Sequence, residues 1–363
     1  MYLKHKLFAL LFNFFNLFPL KNNYVSFIGD SNNSFNSNFK FIKKEFDNHG
    51  NFHYNFFYKD KFSIKSLYEI ASSKYIFLND NFFPLAFMNF KKGVKVSQLW
   101  HGTGAFKKFG ASVVEDKEEL AIIEKASNNT DYLFVSSDNV KKFYKKAFLI
   151  SKSKIKSLGV PRTDYFFDKD LDINELKNNF YKKYPESKNK KIVLYAPTFR
   201  DTEKYNDVFK FFDLNQFNEL FSNEYIFTLR LHPKIKNFIS KDLFKENNFI
   251  DLSDYENEME LLLIADILIT DYSSIMVEFS ILNKPIMFFT YDLEYYLDKD
   301  RGFYFDFEKL APGTISKDFN QLIDNFKNID FNNINNKNFL IYQFNDLDGK
   351  ASERIVDFLM NNK

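Results

Sequence analysis

Past residue 20 the chain alternates between two kinds of hydrophobic pattern. Short β-branched and aromatic runs, "YVSFIG" (24–29), "YIFLND" (75–80), "KVSQLW" (95–100) and "YLFVSS" (132–137), each end in polar or glycine punctuation. Amphipathic stretches with a helical period, 64–72, 117–126 and 138–149, separate them. Near-continuous apolar runs alternating with helical segments predict the strands of a parallel sheet, whose crossover helices cover both faces. A second series follows: "KIVLYAP" (191–197), "YIFTLRLHP" (225–233), "FIDLS" (249–253), "ADILITD" (265–271) and "PIMFFT" (285–290). Between the two series lies the charged helical stretch "DKDLDINELKNNFYKKYPESKNKK", which reads as the linker. The predicted fold is α/β, two doubly wound Rossmann-like domains facing a cleft. The expected segments are an N-terminal apolar helix (1–22), a first α/β domain (23–168), a second (186–345) and a C-terminal amphipathic helix (346–363).

The first segment, "MYLKHKLFALLFNFFNLFPL", breaks this rhythm. Its apolar stretch from Leu7 to Leu20 is interrupted by Asn13 and Asn16 and falls short of the ~18–20 residues that span a bilayer. No small-residue cleavage site follows, so a signal peptide does not fit. Two readings stay open: a first helix packed on the domain, or an interfacial anchor flanked by Lys4, Lys6 and Lys21.

Composition narrows the function classes. The 363 residues are 45% hydrophobic, enough for two cores, and no cysteine is present. Disulfides and thiolate metal sites are excluded, and a reducing cytoplasmic location is expected. Fifty Lys and Arg against 48 Asp and Glu leave a net charge of +2, which gives no case for nucleic acid as a partner. The 49 phenylalanines accompany an excess of Asn, Lys and Ile and read as compositional bias rather than as base-stacking platforms.

Candidate chemistry gathers where ligands bind in open parallel sheets, beyond the carboxyl ends of strands. "QLWHGTGAFKKFG" (98–110) places the one tryptophan, Trp100, beside His101 at a strand end. Gly102 and Gly104 would let the backbone approach a ligand, and Lys107 and Lys108 would attract an anionic acceptor. In "LYAPTFRD", Thr198 and Arg200 supply a hydroxyl and a fixed cation for phosphate oxygens. "LRLHP" sets His232 two residues after Arg230, and the loop carrying Arg301 adds another cation. In "ILITDYSSIMVEF" a strand ends at Asp271 and a helix starts near Ser273 and Ser274, where unpaired N–H groups favour phosphate. Glu278, four residues past Ser274, has the reach to accept both hydroxyls of a ribose. Together these make a donor-rich anion site, with no glycine-rich P-loop and no carboxylate pair spaced for a metal. A histidine across the cleft from a bound diphosphate is placed to take a proton from an incoming hydroxyl, which makes His101 the candidate base.

In this order the motifs resemble the CDP-glycerol glycerophosphotransferase family of teichoic acid and capsule polymer synthesis. The resemblance rests on "QLWHGTGAFKKFG", "GVPRTDYFF", "LYAPTFRD", "LRLHP", "LITDYSSIMVEFSILNKPIMFF", "YYLDKDRGFYFDFEKLAPG" and "DGKASERIVDFL". It implies a glycosyltransferase-B type fold and transfer of glycerol phosphate from CDP-glycerol to a lipid-linked glycan or polyol-phosphate acceptor, with release of CMP. It further implies His101 as general base and His232 as support of the donor diphosphate. Asp271, Ser273, Ser274, Thr198, Arg200 and Arg301 would line the nucleotide site, and Glu278 would bind the ribose. No cofactor is expected beyond the donor. Such an enzyme would work as a peripheral protein at the inner membrane face. The length matches the two-domain catalytic unit, which leaves processive polymerisation open. Rival readings are a CDP-ribitol donor, a nucleotide-sugar transferase or epimerase, and a non-catalytic nucleotide-binding protein of polymer export.

Overall fold

The computed structural model describes residues 2–30, 37–59, 61, 63–200, 203–232, 235, 238–239, 249–299, 302–334 and 336–361. It divides into two units, residues 1–167 with 342–363, and residues 168–341.

In the first unit, strands β1 (Lys21–Gly29), β2 (His53–Tyr58), β3 (Ser73–Leu78), β4 (Lys95–Gln98), β5 (Tyr132–Phe134) and β6 (Ile155–Lys156) make one sheet. Its order is β2-β1-β3-β4-β5-β6, and every pairing is parallel. In the second unit, β7 (Lys191–Ala196), β8 (Tyr225–Leu229), β9 (Phe249–Asp251), β10 (Ile267–Thr270), β11 (Ile286–Phe289) and β12 (Thr314–Ser316) run in the order β12-β11-β10-β7-β8-β9. These pairings are parallel too. The fold is therefore two parallel α/β sheets, as the alternating pattern predicts. Strand order reverses between β1 and β3 in the first sheet and between β7 and β10 in the second. Each reversal opens a crevice at the strands' carboxyl ends.

Three strands, β2, β6 and β12, were not legible from the apolar runs. All three lie at sheet edges. An edge strand has a neighbour on one side only, so it tolerates polar positions. Thus "HYNFFY" in β2 alternates between buried and more exposed residues, and β6 is only two residues long.

Side-chain alternation sorts the first sheet into two cores. Ile28, Ile76, Leu78 and Val96 face Ala9 and Phe12 of helix Leu3–Phe15 and Leu67 and Ile70 of helix Ile64–Ser72. Val25, Phe27, Tyr75 and Phe77 face helix Asn38–His49 through Phe39, Ile42 and Phe46. Ile355, Val356 and Leu359 of helix Ala351–Asn361 join this second core, so the C-terminal helix belongs to the first unit. The charged stretch 168–191 carries helix Ile173–Lys183 within the second unit, where Lys177 Nζ lies 2.9 Å from Asp266 Oδ1.

The first helix has two faces. Phe8, Ala9, Phe12 and Phe15 pack on the core. The asparagines that interrupt its apolar run bond to the loop beneath: Asn13 donates to Phe87 O and accepts from Asn89 N, and Asn16 donates to Asn89 O. Leu3, Leu7, Leu10, Phe14 and Leu17 remain exposed on the other side. No helix among the described residues is long and apolar enough to cross a membrane.

The C-terminal helix is fixed at its start, where Ala351 N and Ser352 N donate to the Asp164 carboxylate at 2.9 and 2.8 Å. Gly159, at φ +98°, backs this junction, and a Cβ there would lie 2.6 Å from Ala351 Cβ. Gly159→Ala therefore combines a left-handed backbone with a clash. It is expected to destabilise the first unit by about 2–4 kcal/mol, read as an earlier unfolding transition in urea.

Candidate functional site

Trp100 adopts φ +61°, a left-handed conformation that is costly for a bulky side chain and persists only where neighbours hold it. Here they do. Trp100 N donates to Gln98 Oε1 at 2.9 Å, and Asn38 Nδ2 donates to Trp100 O at 2.6 Å. The indole is buried, stacked on Phe109 and edge-on to Phe148. The turn it makes at the end of β4 lifts His101 out of the sheet, and 59% of the His101 side chain is exposed. Its ring rests on the indole with centroids 4.0 Å apart. Arg162 Nη1 donates to the His101 carbonyl, and Arg162 N donates to Asn38 Oδ1, which ties the turn to the loop after β6. Trp100 is thus the wall that carries the histidine.

The glycines after His101 divide. Gly104 needs its φ of +68°, whereas Gly102 has ordinary backbone angles and room for a Cβ, 3.6 Å from the indole nitrogen. Tyr144 Oη donates to both carbonyls, at 3.0 and 2.7 Å. Lys108 is exposed and Lys107 half-buried. His101 Nδ1 also lies 3.6 Å from Asp80 Oδ1, a residue just past β3 that the motif reading passed over. Its signal was present as the polar end of "YIFLND".

In the second unit the switch point between β7 and β10 is closed by charge. Arg200, offered by the sequence to phosphate oxygens, is instead fully enclosed, with 0% of its side chain exposed. Nε and Nη2 donate to the two oxygens of Asp292 at 2.8 and 2.9 Å, and Nη1 donates to Asp271 Oδ2 at 2.7 Å and to Thr198 O. Tyr272, Tyr291 and Tyr296 surround the guanidinium with ring centroids 4.9–5.6 Å away. Burial and the nearby Asp292 charge push the Tyr272 hydroxyl far above its ordinary range, so it stays protonated and donates to Asp292 Oδ1 at 3.0 Å. Asp271, read as lining the nucleotide site, is 1% exposed. Both its oxygens accept from Thr198 N, at 2.9 and 3.0 Å. The physical reason is the same for both: the Arg200 fork is filled by two carboxylates, and the Asp271 oxygens by Arg200 and the Thr198 and Tyr272 amides. Asp292, which completes the cluster, follows β11 and belongs to none of the motifs.

Thr198, Ser273, Ser274 and His232 also stand around this switch point. Thr198 Oγ1 is buried with no hydrogen-bond partner among the described residues. Ser273 and Ser274 are half-buried before helix Ile275–Ile281, and the Ser274 side chain does not cap it. His232 is exposed beyond β8, its ring centroid 5.7 Å from Phe199. Arg230, paired with His232 in the sequence reading, is engaged elsewhere: Nη1 donates to Leu252 O and Tyr255 O, and Nη2 lies 3.7 Å from Glu258. Glu278 is only 2% exposed, so it is not a solvated surface carboxylate. Arg301 lies outside the described residues.

Removing one partner of an enclosed ion pair leaves the other charge uncompensated. Asp292→Ala is therefore expected to cost the second unit about 3–5 kcal/mol, measured by urea unfolding followed through tyrosine fluorescence. Arg200→Lys, which keeps the charge but loses the fork, should be destabilising as well. A wild-type transition in both variants would deny the cluster its role.

The family model described as CDP-glycerol:poly(glycerophosphate) glycerophosphotransferase matches residues 10–361. A teichoic acid poly(ribitol-phosphate) polymerase of Bacillus spizizenii is 37% identical over 367 residues, covering 98% of this chain and 59% of that protein. The chain thus spans well under two thirds of that relative's length. A teichoic acid glycerol-phosphate primase of Bacillus subtilis is 36% identical over 305 residues, covering 82% of this chain and 76% of that protein. Among solved structures, a variant of the wall teichoic acid polymerase TagF superposes with a TM-score of 0.82 at 25% identity, covering 99% of this chain and 93% of the other. Matched by one family model over nearly its whole length and by relatives well above 30% identity, the chain belongs to the CDP-glycerol:poly(glycerophosphate) glycerophosphotransferase family.

Proposed function

We propose that this protein transfers a polyol phosphate from a CDP-activated polyol to a hydroxyl of a lipid-linked teichoic acid or related acceptor. CDP-glycerol is the donor that the family description supports. The ribitol-phosphate polymerase at 37% identity favours CDP-ribitol as a second reading. The observation that carries the proposal is His101: an exposed imidazole set on a strained, fully braced turn, within a chain matched by this family.

In the proposed step the acceptor hydroxyl gives its proton to His101 as its oxygen attacks the β-phosphorus. The bond from that phosphorus to the bridging oxygen breaks, and CMP leaves with the bridging oxygen. Thr198, Ser273, Ser274 and His232 donate to the diphosphate, where negative charge concentrates on the leaving phosphate. Glu278 holds the ribose. Arg200 and Asp271 contribute by fixing the Thr198 backbone rather than by touching the donor.

His101→Ala should cut turnover by about a hundredfold or more while CDP affinity stays the same. CMP release from CDP-glycerol and CDP-ribitol, with calorimetry of CDP binding, reads both quantities and ranks the donors. Weakened CDP binding with turnover intact at saturation would overturn the assignment of the base.

A lipid-linked acceptor requires the enzyme to work at a bilayer surface, and the exposed stripe Leu3, Leu7, Leu10, Phe14 and Leu17 supports a peripheral contact there. Lys4 and Lys6 on the same helix, and Lys21 after it, would meet anionic headgroups. Co-sedimentation with anionic vesicles should fall as salt rises and should drop strongly in the combined variant Leu7→Gln, Leu10→Gln, Phe14→Gln. Equal binding by variant and wild type would remove this helix from the membrane contact.

A further inference from the structure

Four polar side chains stand in a row along the carboxyl edge of the first sheet, one from the end of each of four neighbouring strands. In sheet order β2-β1-β3-β4 they are Lys59, Asp30, Asp80 and His101. Lys59 Nζ lies 2.6 Å from Asp30 Oδ1 and 3.0 Å from Asp80 Oδ2. The other oxygen of Asp80, Oδ1, faces His101 Nδ1 at 3.6 Å. Asp80 itself is held from two sides: Lys59 takes Oδ2, and Gln98 Nε2 donates to its backbone carbonyl at 3.1 Å. The same Gln98 accepts from Trp100 N. One side chain therefore couples the exit of β3 to the strained turn of β4, and so fixes carboxylate and imidazole relative to each other. Asp30 and Asp80 follow β1 and β3, the two strands between which this sheet reverses its order, where α/β folds place ligands.

The charges in the row are ordered. Burial by itself would raise the Asp80 carboxyl, but the facing His101 imidazole, the hydrogen bond with Asp30 and the Lys59 charge outweigh it and hold that carboxyl well below the ordinary range. Asp30 moves the opposite way, raised by burial and by its hydrogen bond with Asp80. Of the two acids, the one held low is Asp80, and it is the one that faces the histidine.

We infer that Asp80 is the positioning carboxylate of His101, holding the Nδ1–H tautomer and leaving Nε2 bare to receive the acceptor proton. A neutral imidazole carries one N–H, and an anionic oxygen beside Nδ1 places it there. The separation of 3.6 Å is longer than a formed hydrogen bond, as is common before substrate closes on a catalytic pair. When Nε2 takes the proton, Asp80 stabilises the imidazolium without itself accepting a proton, the division of labour known for base–carboxylate pairs. Lys59 acts on Asp80 and not on the histidine: it holds the second oxygen, so that Oδ1 cannot rotate away.

The role of His101 as base comes from the proposed function above, and the inference rests on it; the pairing itself is open to measurement without turnover. The probe is selectively 15N-histidine-labelled protein, with the His101 signals assigned by their loss in His101→Ala. At a pH where the imidazole is neutral, His101 is expected as the Nδ1–H tautomer in the wild type, and as a mixture shifted toward Nε2–H in Asp80→Asn. Asp80→Asn should also lower kcat by about ten- to a hundredfold with the KM for the CDP-polyol unchanged. A wild-type His101 that is predominantly Nε2–H overturns the inference, whether or not the variant folds. So does a folded Asp80→Asn protein with wild-type kcat. If His101→Ala keeps its turnover while the Nδ1–H tautomer is observed, the base assignment has failed instead, and the pairing stands as structure only.

Discussion

The second unit depends on one enclosed cation. Arg200 leaves the end of β7, Asp271 the end of β10 and Asp292 the loop after β11, three strands that are neighbours in the sheet. Parallel strands end side by side with their carbonyls and exit loops at one edge, and nothing in the sheet itself fixes those loops. A guanidinium held between two carboxylates and ringed by three tyrosines supplies the missing constraint. The attraction is strong because the charges are enclosed, and the same burial makes any incomplete version costly. Thr198, Ser273 and Ser274 owe their positions to this cluster: Thr198 through its amide on Asp271, the serines because they follow Asp271 directly.

The first unit meets the same problem differently. Its strand-end loops are held largely by amide side chains, with Asn38 bonded to Asn79 and Trp100 and to the Arg162 amide, and the Arg162 guanidinium on the His101 carbonyl. Gln98 bridges the exits of β3 and β4. A second set of charges lies at the rim, in the row from Lys59 to His101. An ion pair sealed in the interior is a fixture, whereas a half-exposed carboxylate beside a histidine keeps its capacity to respond to an incoming proton. The contrast accounts for why Arg200 and His101, both conspicuous in the sequence, do such different things.

Helix Leu3–Phe15 shows how two readings of one segment can both describe it. Its period is helical, and Ala9 and Phe12 are buried on one side, with Phe8 and Phe15 packed beside them. Asn13 and Asn16 look like interruptions in the sequence but are the bonds that dock the helix onto the loop at 87–89. The leucines left exposed are therefore a consistent face and not a packing failure.

Much of the fold was written in local sequence. Nine strands could be read from apolar runs, eight of them central, because a central parallel strand is covered on both faces and has little freedom in composition. The three that escaped, β2, β6 and β12, are edge strands, where that constraint is relaxed. The candidates His101, His232, Ser273 and Ser274 could also be found, since unusual residues at strand ends are visible from spacing alone. Neighbours in space were not visible. Asp80 and His101 are 21 residues apart, and Arg200 and Asp292 are 92 apart. Only the order in which strands join the sheet brings their ends together. Residue type determined that Arg200 would carry a permanent charge; the tertiary structure decided that the charge is enclosed between carboxylates, because burial and partnership are properties of the assembled sheet.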